Sequence, residues 1–149
     1  MEFQKKFKCK LITVLSFTVL FATSNLASAQ QCLSEGLETS PSDRFSEITS
    51  NSLRDNSTDL VWRRCSEGQT WSGSTCEGEA IKYTWQEALL LAHRSSNEDL
   101  LGWRLPNVKE LASITERNCV RPAVNIELFP ETPPDDFWTS TPSADDPDR

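Results

Sequence analysis

The sequence is poor in the side chains on which most enzymes depend. Among its 149 residues there is one histidine, His93, and there is no evident set of Ser, His and acidic residues of the kind that hydrolases use. No two cysteines have the C-x-x-C spacing, and none lies near His93 in sequence, which disfavours a metal site. We therefore predict a protein that is not an enzyme, with no catalytic residue, no metal and no cofactor.

Positive charge is also scarce. The chain has 15 Lys and Arg against 22 Asp and Glu, and residues 30–149 keep 11 basic and 21 acidic side chains, a net charge of −10. A field of that sign disfavours binding to nucleic acid, anionic lipid or sulfated polysaccharide, so we expect no nucleic-acid partner. A local basic patch stays open as an alternative, formed by Arg63, Arg64, Arg117 and Arg121.

Long apolar runs are absent as well. The apolar run at residues 11–22 falls well short of the roughly 20 residues that a membrane-spanning helix needs. It follows a lysine-rich start and precedes Ala-Ser-Ala at residues 27–29, which is the layout of a secretory signal peptide. We predict a signal peptide over residues 1–29, export to the periplasm or the cell exterior, and no membrane insertion of the mature chain. No lipobox precedes Cys32, which disfavours a lipid anchor.

Removal of residues 1–29 turns an odd number of cysteines into an even one. Cys9 is lost, and four cysteines remain: Cys32, Cys65, Cys76 and Cys119. An even set in an exported chain predicts two disulfides. Three pairings are possible, and the short separation between the two middle cysteines favours Cys65 with Cys76 and Cys32 with Cys119.

The mature chain divides into two parts. Residues 30–53 are rich in Ser, Thr and Glu with scattered apolar positions, so we predict an extended arm or linker there. Leu-Val-Trp at residues 60–62 predicts a strand near the start of a domain over residues 54–149. Glycines and small polar residues between the two middle cysteines predict a looped hairpin, with Trp71 packed over its disulfide. An exposed, ligand-binding Trp71 is the alternative.

Two capping boxes predict the starts of two helices. Thr84 with Glu87 precedes one amphipathic stretch, and Asn107 with Glu110 precedes a second. His93 lies near the end of the first helix, where we interpret it as a favourable partner of the helix dipole.

The second helix follows Gly-Trp-Arg-Leu-Pro at residues 102–106. Pro106 cannot extend the helix backward and so fixes the direction from which the chain approaches. Arg104, between Trp103 and Leu105, is expected to be partly buried, where a guanidinium needs a carboxylate or several carbonyls as partners. We interpret it as one half of a structural salt bridge, and anion binding is the alternative.

The composition changes abruptly from residue 130. The last 20 residues hold five of the eight prolines and five aspartates. Within them, residues 137–141, which begin with Phe137 and Trp138, predict a strand. The aspartates raise the alternative of calcium binding, but their spacing matches no EF-hand loop, so we interpret them as a solvated acidic tail: Asp135, Asp136, Asp145, Asp146 and Asp148.

A series of short motifs, in this order, resembles a known family. They are Leu60-Val61-Trp62, the segment from Cys65 to Cys76, the segment from Tyr83 to Ala88, Trp103-Arg104-Leu105-Pro106 with Glu110, residues 122–125, and Phe137-Trp138-Thr139-Ser140. From about Arg54 onward the chain resembles the domain of unknown function 1566, named after the C-terminal domain of the Legionella collagen-like protein.

The resemblance implies an α+β fold similar to C-type lectin-like domains and to the sulfatase-modifying-factor group. We expect two helices flanking a small, twisted, mostly antiparallel sheet with long loops, stabilised by disulfides. The namesake domain belongs to an adhesin that binds sulfated glycosaminoglycans, so the implied function is a non-catalytic binding module for carbohydrate or a cell-surface component. A structural or protein-interaction module of an envelope assembly is the alternative.

The chain departs from the expected pattern in two respects. It has no Glu-Pro-Asn or Trp-Asn-Asp triplet of the kind that binds calcium and sugar in true C-type lectins, so the resemblance names no ligand-contacting residue. Family members usually continue past the Phe-Trp motif with further strands, whereas this chain stops at Arg149. We therefore expect a C-terminally truncated domain in which the strand at residues 60–62 keeps an open edge.

Overall fold

A computed structural model describes residues 30–98 and 102–143. The predicted signal peptide, the end of the acidic tail and the three aspartates from Asp145 on lie outside the described residues. The described part is a mixed α/β structure with small antiparallel sheets, two helices and two disulfides. Its elements are β1 (Gln31–Cys32), β2 (Phe45–Thr49), β3 (Ser52–Asp55), β4 (Val61–Arg63), β5 (Thr70–Trp71), β6 (Cys76–Glu77), α1 (Trp85–Glu98), α2 (Val108–Ser113) and β7 (Cys119–Val120). Neither helix of the described part is long and apolar enough to pass through a lipid bilayer.

The largest sheet has three antiparallel strands in the order β2-β3-β4. A buried ion pair supports its first hairpin: Arg44, just before β2, donates to both carboxylate oxygens of Asp55 at the end of β3. The Asp55 side chain is fully buried, and it also accepts from the Ser57 N–H at 2.9 Å and the Thr58 hydroxyl at 2.7 Å. One carboxylate therefore fixes both strands and the turn that leads to β4.

The two remaining sheets are short ribbons, each closed by a disulfide. β5 and β6 form the hairpin of the Cys65–Cys76 bridge, and Trp71 pairs across that hairpin with Cys76. β1 and β7 pair in the register that places Cys32 directly opposite Cys119, and these two cysteines form the second bridge. The structure therefore has the pairing that the sequence separation favours.

The hydrophobic core lies between the three-stranded sheet and the residues that follow α2. Its buried members are Phe45, Leu53, Ile114, Val124, Leu128 and Phe129, with Trp62 and Leu111 packed against them. The rings of Phe45 and Phe129 meet edge to face, with their centroids 5.9 Å apart. β2, β3 and α2 are thus joined by one core.

The amino-terminal segment is bound to the chain around β7. The Gln30 carboxamide donates to two backbone carbonyls just after β7, at 2.8 and 2.7 Å. The Glu116 carboxylate, in a residue only 4% exposed, accepts from the Thr39 and Ser40 N–H groups at 2.9 to 3.1 Å. Burial alone would raise the pKa of Glu116, but these bonds and one from the Asn118 N–H outweigh it and lower the pKa.

Two sequence predictions differ from the structure. Residues 30–53 are not an extended arm, because they supply β1, β2 and the start of β3, and Phe45 is a core residue. Residues 137–141 form no strand in the described part of the chain. That segment is instead held by single contacts: the Trp85 and Trp138 indoles donate to the carbonyls of Thr139 and Tyr83 at 2.8 and 2.7 Å, and the Ser140 N–H donates to the Pro106 carbonyl.

Candidate binding site

The approach to α2 is a rigid, hydrogen-bonded corner. Both terminal nitrogens of Arg104 donate to the Glu110 carboxylate at 2.8 Å, so the pair is bidentate. The Asn107 N–H donates to the same carboxylate at 2.7 Å, and the Asn107 side chain accepts from the Lys109 and Glu110 N–H groups. This is the predicted capping box, joined to a salt bridge. The Arg104 side chain is 58% exposed, so the prediction from its apolar neighbours that it is partly buried overestimates its burial.

Arg104 and Asn107 keep Glu110 ionised. The hydrogen bond from Arg104, followed by that from the Asn107 N–H, lowers the pKa of Glu110 to about 2. A carboxylate with that pKa carries no proton near neutral pH, so it cannot act as a general acid there. Its chemical role at this corner is to accept hydrogen bonds.

A shallow depression lies between α2 and the turn that connects β3 to β4. We call it the α2 depression; its volume is about 300 Å³ and its lining residues are Thr58, Leu60, Asn107, Lys109, Glu110 and Ser113. Five of these six side chains are polar, and only Leu60 is apolar. The volume is at the lower end of small-molecule sites, and the open shape leaves the polar groups in contact with solvent.

The polar groups of the α2 depression are mostly held in place by their own bonds. The Thr58 hydroxyl donates to Asp55 and accepts from the Leu60 N–H at 3.5 Å, and the Ser113 hydroxyl donates to the Glu110 carbonyl, so each oxygen keeps a lone pair as an acceptor. Lys109 is an exposed cation with no acidic partner among residues 30–96 and 102–143. The site therefore offers acceptors of fixed position and one mobile donor.

No group of three or more His, Cys, Asp or Glu side chains within residues 30–98 and 102–143 is placed to hold a metal ion. Two aspartates of the acidic tail, Asp135 and Asp136, lie within the described residues, and both are exposed. The Asp135 carboxylate lies 3.2 Å from the Lys82 ammonium.

Two of the four arginines named as a basic patch, Arg63 and Arg64, are each paired with a glutamate and an indole ring. The Arg63 guanidinium lies 4.7 Å from the Trp103 ring centroid and bonds to Glu67. Arg64 lies 5.1 Å from the centroid of Trp71 and pairs with a glutamate of β2. The other two, Arg117 and Arg121, flank β7 in sequence.

Of the residues that the sequence marked, Leu60, Asn107 and Glu110 line the α2 depression. Arg104 does not line the depression but donates a hydrogen bond to Glu110, which does. Phe137 and Trp138 lie on the segment that is held by hydrogen bonds from indole groups. Thr58 and Ser113 belonged to none of the motifs that carried the resemblance. Only the capping box hinted at the position, because it fixes one wall of the depression.

Comparison with known proteins gives one match. The model of the Lcl C-terminal domain family matches residues 51–149. No curated protein matches the chain. No solved structure matches it either.

Proposed function

We propose, from the premise that this chain belongs to the Lcl C-terminal domain family, that it is an exported, non-catalytic module that binds a carbohydrate at the α2 depression. The proposed ligand is a neutral surface glycan, since a chain with a net charge of −10 over residues 30–149 repels sulfated polymers. Export rests on the signal-peptide pattern of residues 1–29 and agrees with two disulfides, which persist in oxidising compartments.

The lining of the α2 depression carries this proposal. Sugar hydroxyls both donate and accept hydrogen bonds, so they suit a surface that combines fixed acceptors with a mobile ammonium donor. The ionised Glu110, the two hydroxyl oxygens and Lys109 supply that combination within one shallow site. An open site also admits an internal unit of a polymer, which a closed pocket excludes.

We also propose that the described sheets and helices belong to a C-type lectin-like architecture. In support, the described part combines two helices with small antiparallel sheets and two disulfides.

A glycan array followed by calorimetry tests the carbohydrate proposal. The disulfide-bonded protein is applied to arrayed neutral glycans, with a reduced and alkylated sample as the negative control. Titration of the best oligosaccharide then compares wild type with Lys109→Ala. We expect a loss of affinity of about tenfold or more, because a hydrogen bond from a charged donor contributes roughly 1.5 to 3 kcal/mol.

The chain contains a matched control for this substitution. Lys82 is the only other lysine in residues 30–149, and its side chain is 82% exposed. Lys82→Ala removes the same charge at a distance in sequence from the site and should leave affinity unchanged. Equal losses in the two variants, or no glycan signal above the reduced sample, would refute the proposal.

A protein-binding function is the second candidate, and the β1–β7 ribbon favours it. Leu33 and Val120 lie on the same face of this ribbon and are 73% and 53% exposed, and Leu37 nearby in sequence is 88% exposed. Such apolar exposure is typical of interaction surfaces. Pull-down from an envelope extract separates the two candidates, since protease treatment of the extract abolishes capture of a protein partner and spares capture of a glycan.

A further inference from the structure

The outer side of β4 is a strand edge whose bonding groups can be identified. At its two ends, the Arg64 N–H donates to the Asn51 carbonyl at 3.1 Å, and the Asp55 N–H donates to the Leu60 carbonyl at 2.8 Å. Hydrogen-bonded pairs recur at every second residue of an antiparallel ladder. Trp62, midway between residues 60 and 64 and opposite β3, is therefore the β4 residue that bonds to β3.

It follows that Val61 and Arg63 direct their backbone N–H and C=O groups away from β3. Within residues 30–98 and 102–143, no strand and no backbone group bonds to them on that side. Four strong hydrogen-bonding groups thus lie along a short strand without partners from the described chain. An edge of this kind is a template for pairing with another strand.

The opposite edge of the same sheet is protected in a way that β4 is not. The register of β2 against β3 shifts between Glu47 and Thr49, which interrupts the ladder with an irregularity. A bulge is one of the means by which proteins block edge pairing. β4 pairs with β3 in regular register over all three of its residues.

We propose that β4 pairs with β4 of a second copy of this chain, antiparallel and about a two-fold axis through Trp62. In this register Val61 lies opposite Arg63 of the second copy, and the four outward groups of each strand make four intermolecular hydrogen bonds. The two Trp62 residues then form the non-hydrogen-bonded pair, in which side chains approach most closely, and cross-strand aromatic pairs are favourable.

The charges along the strand favour a second copy as the occupant. Asp59 precedes β4 and its side chain is 84% exposed, while Arg63 ends β4. Antiparallel self-pairing places Arg63 of the second copy opposite Val61 and diagonal to Asp59, a separation that a long side chain spans, so opposite charges lie near each other at both ends of the symmetric contact. No like charges face each other directly, and the contact is isologous, as in most homodimers.

Sedimentation velocity with amide hydrogen exchange tests the proposal on the disulfide-bonded protein. An edge of three residues buries less surface than a standard interface, so we expect a dissociation constant on the order of 100 µM. Protection at the Val61 and Arg63 amides should rise with protein concentration, whereas the Trp62 amide, bonded to β3 in both states, should be protected throughout.

Two substitutions at one position isolate the edge. Val61→Pro removes only an outward N–H and is compatible with an edge strand, so the dimer should be lost while the fold is kept. Val61→Thr keeps that N–H and a β-branched side chain, and should dimerise like wild type. If Val61→Pro fails to fold, Asp59→Asn provides the second test, with dimer affinity expected to fall several-fold.

Three results would overturn the proposal. The first is a wild-type protein that stays monomeric at millimolar concentration, whether or not it binds some unrelated extended peptide. The second is a dimer that Val61→Pro or Asp59→Asn leaves intact. The third is concentration-dependent exchange protection at the β1–β7 ribbon in place of β4, which would assign the association to Leu33 and Val120.

Discussion

Replacing Asp55 with Asn is the most direct test of how the three-stranded sheet is held together. The substitution preserves the shape of the side chain but removes the charge that faces Arg44, whose side chain is only 15% exposed. Removing one partner of a buried ion pair leaves the other charge without compensation and costs roughly 3 to 5 kcal/mol. Asn keeps an oxygen for the Ser57 N–H, so we expect the lower end, a loss of about 3 kcal/mol in the free energy of unfolding.

The pH dependence of wild-type stability gives a second, independent value for the contribution of Asp55 to the free energy of unfolding. Burial alone would raise the pKa of Asp55, but hydrogen bonds from Arg44, Thr58 and Ser57 outweigh it and lower the pKa from 3.8 to about 2. Because the folded state has the lower pKa, the stabilisation is complete above about pH 4 and is lost as the pH falls toward 2. The shift corresponds to about 2 to 3 kcal/mol at neutral pH, close to the expected cost of the substitution.

Urea unfolding followed by tryptophan fluorescence measures both quantities. The matched control is Asp59→Asn on the same turn, where an exposed pair with Arg54 at 3.5 Å should contribute less than about 0.5 kcal/mol. The stability of Asp55→Asn should depend less on pH than that of wild type between pH 4 and 2. Equal effects of the two substitutions, or a wild-type stability that is flat over that range, would refute the reasoning.

Two further predictions concern the anchoring of the amino-terminal segment. Glu116→Gln presents an amide donor to the Thr39 and Ser40 N–H groups and should cost about 2 kcal/mol in urea unfolding. The difference in unfolding free energy between this variant and wild type should become smaller in acid. The pKa of Glu116 is lowered by folding, so the stability that its carboxylate contributes is lost as the pH falls through the pKa of the folded state. Replacing the Cys32–Cys119 bridge by two serines should cost roughly 4 to 5 kcal/mol and replacing Cys65–Cys76 roughly 3, because their sequence separations are 87 and 11 residues. The urea midpoints of the two double variants show which disulfide contributes more to stability. A lower midpoint for the variant without Cys65–Cys76 would contradict the prediction.

Local signals were sufficient for the helix starts and the cysteine hairpin. The Thr84–Glu87 and Asn107–Glu110 capping boxes both exist as hydrogen-bonded pairs, because each depends on residues three apart. The same holds for the short hairpin between Cys65 and Cys76, whose ends are joined covalently. Such interactions are determined within a few residues and can therefore be derived from sequence.

The strands of residues 45–55 were not predictable in this way. Their buried positions include Ser52 and Asp55, so the alternation of apolar and polar residues that marks a strand is broken. Asp55 is acceptable inside only because Arg44 reaches it from eleven residues away. The α2 depression was missed for a related reason, because Leu60 and Lys109 meet only after the chain has folded.

The Cys32–Cys119 bridge has a mechanical consequence for a chain whose ends are pulled apart, as in a protein attached to two surfaces. Tension that enters through the residues before Cys32 crosses the disulfide to Cys119 and leaves along the carboxyl-terminal part. Residues 33–118, which contain the three-stranded sheet and both helices, lie inside the covalent loop and bear no load. Under force, the segment after β7 extends first, and its extension withdraws Val124, Leu128 and Phe129 from the core before any residue inside the covalent loop is stretched.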